Sequence, residues 1–144
     1  DAHNREIIGW SVDRRMTKSL VIKAMERAIR KRRPTGSPIF HSDRGSQYAS
    51  YAFRKLLANN LIRQSMAEKE TVMIMHGIVI FKTLKTELIY QNRYKTKEEA
   101  KQKIFEYKEV FYNRKRLHSA LGYKTPEEYG KMKMVLNFES TFSY

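Results

Sequence analysis

The chain has 144 residues, no cysteine and a formal net charge of +14 at pH 7. Its length fits one domain with a buried core, and the lack of cysteine excludes disulfides, thiolate metal sites and thiol nucleophiles. The positive charge predicts a polyanionic partner: nucleic acid is the first candidate, a membrane surface the second and a ribosome-associated role the third. No apolar run approaches the roughly 20 residues of a membrane span. Because the sequence starts with Asp1 rather than Met, we interpret its start as a fragment boundary.

The first half of the chain predicts three strands that alternate with two helices. Their ranges are a strand at 6–12, a helix at 17–33, a strand at 39–41, a helix at 51–59 and a strand at 61–65. Thr17 is the expected cap of the first helix and Pro34 its stop. The strand at 39–41 is expected to be central, because residues on both of its faces look buried.

The second half is predicted to be helical. The ranges are a helix at 81–89, a long helix at 96–113 capped by Thr96, and a short helix that begins at Pro126. In the long helix, the spacing predicts one apolar face, formed by Ala100, Ile104, Tyr107 and Phe111. We expect its aromatic residues to belong to the core, and the tail from 136 to 144 to fray. Strands followed by helices in this order predict an α/β fold.

The stretch His41-Ser42-Asp43-Arg44-Gly45-Ser46-Gln47-Tyr48 is the first candidate for chemistry. It places Asp43 directly after a short apolar strand, at the strand end where α/β sheets hold their sites. A rigid carboxylate there can be a metal ligand. The alternative is an aspartate that only caps its own turn.

A second stretch changes the interpretation: Tyr112-Asn113-Arg114-Lys115-Arg116-Leu117-His118-Ser119-Ala120-Leu121-Gly122-Tyr123-Lys124-Thr125-Pro126. Together the two stretches resemble the integrase-core transposases of bacterial insertion sequences, of the kind encoded by a second reading frame. The resemblance covers about residues 1–130. It implies an RNase H-like α/β fold that here lacks the first Asp-bearing strand and carries a C-terminal helical extension. The expected division is therefore a partial catalytic core with its C-terminal helices at 1–130 and a tail at 131–144.

The resemblance also implies a chemistry. Family members hold two Mg²⁺ ions with two Asp and one Glu, and they cleave DNA and transfer a strand to a target. By position Asp43 corresponds to the second carboxylate, catalytic and metal-binding. The first Asp would precede this chain, which we therefore interpret as N-terminally truncated. The Glu would fall at Ile78 or Val79, neither of which binds metal. Glu87 is about 180° away around a continuous helix, so we expect it to be a solvated helix residue.

Residues 67–81 depart from the family pattern. Where relatives carry a polar stretch, this chain reads Glu70-Thr71-Val72-Met73-Ile74-Met75-His76-Gly77. A frame slip near Lys69, restored near Phe81, is our hypothesis; a real variant is the alternative. With one of three ligands left, we expect a transposase core that is inactive in this chain. The alternative function is a non-catalytic basic DNA-binding remnant.

Further expectations concern binding. The predicted DNA-binding residues are Arg44, Asn113, Arg114, Lys115, Arg116 and His118. A packed or hydrogen-bonded role is the alternative for His118, and for His41, which could also titrate or bind metal. The basic run at 30–33 could contact phosphate or simply favour the dipole of its helix. The partner is expected to be DNA at transposon ends and targets, with a homo-oligomer possible and no membrane. A cytoplasmic, nucleoid-associated location is expected.

Overall fold

The computed structural model describes residues 1–13, 15–66, 84–89 and 91–141, with side chains up to residue 133. The chain forms two compact units. One consists of Ile8–Lys85, and the other combines Asp1–Ile7 with Thr86–Tyr144. Among the described residues, no helix is both long and apolar enough to cross a membrane.

The Ile8–Lys85 unit contains the described strands. The elements are helix α1 (Lys18–Arg32), strand β1 (Ile39–Ser42), the short helix α2 (Ser46–Ala49), helix α3 (Tyr51–Asn59) and strand β2 (Arg63–Met66). The two strands pair in parallel, with Ile39 opposite Arg63 and Ser42 opposite Met66. A parallel pair needs a crossover between its strands, and α2 and α3 provide it. The predicted α/β character is confirmed for this unit.

Local sequence signals set these helix limits. Thr17 is the N-cap residue of α1, as predicted, although its side chain makes no capping hydrogen bond. Arg33 ends the helix in a left-handed conformation (φ 44°), and Pro34 follows. At the start of α3 the Ser50 hydroxyl accepts the N–H of Phe53, which satisfies one of the orphan donors of a helix start. The prediction of a helix at 51–59 is confirmed.

The core of this unit lies between α1, α3 and the sheet. Its buried members are Val21, Phe53, Leu57 and Ile62, with Ile22, Met25, Ile29, Phe40 and Tyr48 packed against them. The rings of Phe40, Tyr48 and Phe53 contact one another at centroid distances of 5.2–5.9 Å. Edge-to-face packing of this kind fixes the end of β1 against α3.

Two strand predictions for this unit are wrong. Residues 6–12 form no strand. Gly9 instead lies against α1, where an added Cβ would stand 2.3 Å from the Ala24 carbonyl oxygen. Strand β1 was expected to be central, yet Ile39 is 56% exposed. Among the described residues β1 pairs only with β2, and the expected burial of both faces is not observed at Ile39.

The second unit is helical in its described part. Its elements are the π-helical turn Lys85–Ile89 that leads into the unit, helix α4 (Lys97–Phe105), the π-helical stretch Glu106–Tyr112, the 3₁₀ turn Ser119–Leu121 and helix α5 (Pro126–Thr141). The Thr96 hydroxyl accepts the N–H of Glu99, which confirms the predicted cap. The predicted helix at 81–89 is confirmed at 84–89, while residues 81–83 lie outside the described residues.

The long helix buries Ile104, as predicted, but its other buried positions differ from the predicted face. Buried positions are Ile104, Lys108 and Tyr112, four residues apart, whereas Phe111 is 42% exposed. A π-helix carries more residues per turn than an α-helix, so the stretch from Glu106 shifts the buried stripe away from the predicted one. The expectation that the aromatic residues belong to the core is therefore wrong for Phe111 and for Phe105, which is 46% exposed, and is confirmed for Tyr112.

The C-terminal helix is longer than predicted. It starts at Pro126, as expected, but runs for 16 residues to Thr141. A reciprocal capping box secures its start: the Thr125 hydroxyl accepts the N–H of Glu128, and the Glu128 carboxylate accepts the N–H of Thr125. The Asn113 carbonyl accepts the N–H of Glu127, so the helix start is tied to the segment that precedes it.

Candidate functional site

Asp43 lies where the sequence predicted it, directly after β1. Its Oδ1 accepts the backbone N–H of Gly45 at 2.9 Å, which closes a tight Asx turn before α2 begins. The Ser42 hydroxyl donates to the Asp43 carbonyl at 3.0 Å. The turn-capping role weighed for this aspartate is therefore present, and it fixes the carboxylate at the carboxyl end of a parallel strand.

Side chains around the Asp43 turn link it to β2 and α2. His41 Nδ1 and the Ser65 hydroxyl are 3.0 Å apart, and Gln64 Nε2 donates to the Tyr48 carbonyl at 2.9 Å. The pKa of Tyr48 is raised, first by burial and then by the negative charge of Asp43. His41 therefore has the hydrogen-bonded role that was the alternative to metal binding.

Metal-ligating side chains do not converge on Asp43 in the described residues. Within 1–13, 15–66, 84–89 and 91–141, no group of three or more His, Cys, Asp or Glu side chains could hold an ion. A two-ion site needs several oxygen ligands. The described residues therefore do not fit a complete two-metal centre, and Asp43 is the one carboxylate that the sequence argument assigned to it. Ile78 and Val79, the positions expected for a Glu, lie outside the described residues.

The predicted DNA-binding residues fall in both units. Arg44 is exposed beside Asp43, in the Ile8–Lys85 unit. The other five lie at 113–118, in the second unit. Of these, Lys115 is exposed, and Arg114 pairs with Glu127 at 3.1 Å with 62% of its side chain exposed. Arg44, Arg114 and Lys115 are thus the predicted contacts whose side chains reach solvent most fully.

Asn113 is used inside the fold. It is 2% exposed, and its amide makes two hydrogen bonds with the backbone of Ile7. This residue ties the N-terminal segment to the end of the π-helical stretch. Contact of its side chain with DNA stays a prediction, and its bonded amide offers little support for it.

Glu87 is exposed on its helical turn, as expected, with 39% of its side chain accessible, but its carboxylate is engaged by other side chains. Both of its carboxylate oxygens accept from Arg116 Nη1, at 2.8 and 2.7 Å, and Oε2 also accepts the Tyr107 hydroxyl at 2.5 Å. The hydrogen bond from Arg116 lowers the pKa of Glu87. Burial, followed by the bond to Glu87, raises the pKa of Tyr107. Nothing local in the sequence signals this cluster, because 29 residues separate Glu87 from Arg116.

His118 packs rather than projecting freely. Its ring meets the ring of Tyr112 edge-on at 5.1 Å, and its Nε2 is buried without a hydrogen-bond partner. Burial lowers the pKa of His118, and the positive charges of Arg116 and Arg5 lower it further. The packed role weighed for this residue is therefore observed, with two guanidinium groups in its surroundings.

Comparison with known proteins decides the family. A profile of the integrase core domain matches residues 1–71, and a second integrase core domain profile matches residues 79–134. This chain belongs to the integrase core family. Membership implies an RNase H-like fold, to which the parallel β1–β2 pair and its crossover helices correspond. Residues 72–78 lie between the two matches, inside the segment that departs from the family pattern.

Integrase core relatives named as products of insertion elements cover most of the chain. The transposase for insertion sequence element IS904 of Lactococcus lactis subsp. lactis (strain IL1403) is 38% identical over 135 residues, 91% of this chain and 52% of the relative. The IS600 uncharacterized 31 kDa protein of Shigella sonnei is 39% identical over 137 residues (92% and 50%). Transposase InsF for insertion sequence IS3A of Escherichia coli (strain K12) is 34% identical over 130 residues (90% and 45%). The chain thus spans about half the length of the curated relatives it matches.

Proposed function

We propose that the chain is the catalytic-core part of an insertion-sequence DNA transposase, a Mg²⁺-dependent enzyme of DNA strand cleavage and strand transfer. One observation carries the proposal. Asp43, in a segment matched by the integrase core domain, is held by the Gly45 N–H at the end of a parallel strand. A carboxylate oriented by its own turn is suited to ligate a hard divalent cation. Its role is catalytic and metal-binding in this proposal.

We also propose that the 144-residue chain alone does not catalyse strand transfer. No group of three metal-binding side chains forms within the described residues, and Ile78 and Val79 stand where the resemblance puts a Glu. A carboxylate without partners binds Mg²⁺ weakly, because this ion keeps its water unless several oxygens replace it. Asp43 would hold one coordination position, and the remaining ligands must come from elsewhere.

DNA is the proposed partner. A net charge of +14 favours binding to phosphates through release of counterions. Arg44, Arg114 and Lys115 are the proposed contacts that are most exposed. Arg116 is partly exposed and also pairs with Glu87, while Asn113 and His118 make contacts within the protein. Transposon ends and target DNA are the proposed substrates, handled in the cytoplasm at the nucleoid, with further copies of the chain as possible partners.

A single pair of measurements tests this proposal on the 144-residue chain. The affinity for a DNA duplex is measured by fluorescence anisotropy between about 50 and 200 mM salt. It is expected to fall steeply as the salt concentration rises. Binding that does not change with salt overturns the proposed partner. Incubation of transposon-end DNA with the chain and Mg²⁺ is expected to yield no cleaved or joined product, and a product that is lost in Asp43→Asn overturns the proposed inactivity.

The second candidate is a non-catalytic DNA-binding module. It is favoured by the described residues themselves, which carry the positive charge but no complete metal centre. The two candidate functions predict different results when the missing carboxylates are restored. If supplying the missing carboxylates, by a longer chain and a Glu at position 78 or 79, restores strand transfer, the chain is a catalytic core. If DNA binding persists and no chemistry returns, the module is the better description.

A further inference from the structure

Arg116 is held at one end of its guanidinium group. All of its side-chain hydrogen bonds in the described part of the chain use Nη1, which donates to both oxygens of Glu87 and, at 3.4 Å, to the Tyr107 hydroxyl. Nε and Nη2 therefore keep their N–H donors unengaged among the described residues. That edge of a guanidinium matches two oxygens of one phosphate.

The surroundings of Arg116 favour an anion on that edge. Arg5 and Arg116 are both close enough to His118 to lower its pKa, so two positive charges share this region of the second unit. His118 Nε2 is buried without a partner, and Arg116 itself is 30% exposed. Glu87 compensates one of these positive charges. Both of its oxygens accept from Nη1 of Arg116, so Glu87 does not occupy the Nε–Nη2 edge of the guanidinium.

We infer that Glu87 and Tyr107 are positioning residues, which hold Nη1 of Arg116 so that its Nε–Nη2 edge binds a backbone phosphate of DNA. This inference rests on the proposed function. An arginine that is fixed before binding loses less side-chain freedom on contact, so the carboxylate strengthens the phosphate contact although its own charge is negative. Glu87 is thus assigned to orienting Arg116 and not to holding a metal ion.

The negative charge of Glu87 allows positioning to be distinguished from simple electrostatics, because the two predict opposite effects of its removal on DNA affinity. Glu87→Ala and Glu98→Ala each remove one negative charge, and Glu98 is an exposed residue in the first turn of α4. Simple electrostatics predicts slightly tighter DNA binding for both variants. Positioning predicts weaker binding for Glu87→Ala alone. Affinity of the 144-residue chain for a DNA duplex is measured by fluorescence anisotropy at one fixed salt concentration, and unfolding in urea verifies that each variant is folded.

The expected affinities form a double-mutant cycle between Glu87 and Arg116. Arg116→Ala weakens binding by about tenfold and lowers the salt slope by about 1, and Glu87→Ala weakens it by about threefold. In the Arg116→Ala background, Glu87→Ala causes no further loss, because there is nothing left to position. Tyr107→Phe shows a smaller loss of the same kind, and Glu87→Gln, which keeps an acceptor oxygen, binds more tightly than Glu87→Ala.

Two results overturn the inference while leaving DNA binding intact. If Glu87→Ala binds DNA more tightly, to the same extent as Glu98→Ala, then Glu87 only neutralises the positive charge of Arg116. If Glu87→Ala lowers DNA affinity equally in the unmodified chain and in the Arg116→Ala background, Glu87 acts through the stability of the fold and not through Arg116. Should the unmodified chain show no salt-dependent binding at all, the proposed function fails, and this inference fails with it.

Discussion

The side chain of Asn113 forms two hydrogen bonds with the backbone of Ile7, a residue 106 positions earlier in the chain. Its Oδ1 accepts the Ile7 N–H at 2.9 Å, and its Nδ2 donates to the Ile7 carbonyl at 3.0 Å. An amide pairs with the backbone in this way much as a neighbouring strand does. The N-terminal segment is therefore held by a side chain and not by a sheet.

Replacing Asn113 tests this contact. Asn113→Ala leaves both backbone groups of Ile7 without their partners, so we expect the free energy of unfolding in urea to fall by about 2 kcal/mol. Its exposed neighbour Lys115 is the control, because Lys115→Ala is expected to change stability by less than about 0.5 kcal/mol. DNA affinity should instead fall for Lys115→Ala, by a uniform factor across sequences. Equal losses of stability in the two variants contradict the assignment.

Variants of Asp43 distinguish the contribution of its hydrogen bond to stability from that of its charge. Asn can accept the Gly45 N–H as Asp does, so Asp43→Asn is expected to change the free energy of unfolding by less than about 0.5 kcal/mol, and Asp43→Ala to lower it by about 1 kcal/mol. Denaturant unfolding of the two variants provides the comparison. If Asp43→Asn is as unstable as Asp43→Ala, the turn does not depend on the accepted N–H.

Gly9 is packed too closely against α1 to accept a side chain. A Cβ there would lie 2.3 Å from the Ala24 carbonyl oxygen and 2.7 Å from Ala28 Cβ. We expect Gly9→Ala to lower the free energy of unfolding by about 1–3 kcal/mol. Gly36 is the matched control: it has φ +76° with open space around it, and Asn tolerates that conformation. Gly36→Asn should therefore cost less, and the reverse order is the result that contradicts the packing.

Stability is expected to depend on pH through His118. Its pKa in the fold is lowered, first by burial, whereas the unfolded chain takes up the proton near pH 6.5. The neutral ring is thus favoured by folding, so the contribution is complete above that pH and is lost as the pH falls through the lowered pKa of the fold. His118→Phe keeps a ring against Tyr112 but cannot titrate. Unfolding measured from pH 8 to 5 should show a steeper loss in the unmodified chain, and parallel profiles would rule out this role.

The segment between the two family matches yields a prediction at the level of the gene. The residues from Lys69 to Gly77 can be encoded so that reading one base earlier gives Gly-Asn-Cys-Tyr-Asp-Asn-Ala-Trp, the polar pattern of the relatives. We expect the nucleotide sequence to contain that alternative frame, with the original frame regained near Phe81. Codons that yield no such peptide in either other frame refute the frame slip.

Local chemistry made most helix limits predictable. Thr17, Thr96 and Pro126 mark helix starts in the sequence, and Pro34 marks a stop, because caps and prolines act within one helical turn. The Asp43 turn was predictable for the same reason, since its Asp and Gly45 are two residues apart. Strands were predicted at 39–41 and 61–65, and the structure has them at Ile39–Ser42 and Arg63–Met66.

Contacts between distant residues account for what the sequence analysis missed. A strand was predicted at 6–12, but Gly9 lies against α1 and the amide of Asn113 takes the place of a partner strand at Ile7. Glu87 is exposed as expected, but its pairing with Arg116 was missed because the two residues are 29 positions apart. The buried face of the long helix was assigned correctly at Ile104 but not beyond it, because a π-helical stretch carries more residues per turn than the roughly 3.6 that the prediction assumed.

The tie between Ile7 and Asn113 also bears on the order in which the chain assembles during synthesis. Residues 8–85 form a continuous unit, so their contacts can develop as soon as that stretch has left the ribosome. The first seven residues must wait, because their acceptor and donor emerge more than a hundred residues later. Until then residues 1–7 stay accessible to chaperones and proteases. Residues 1–7 are therefore secured long after they have been made.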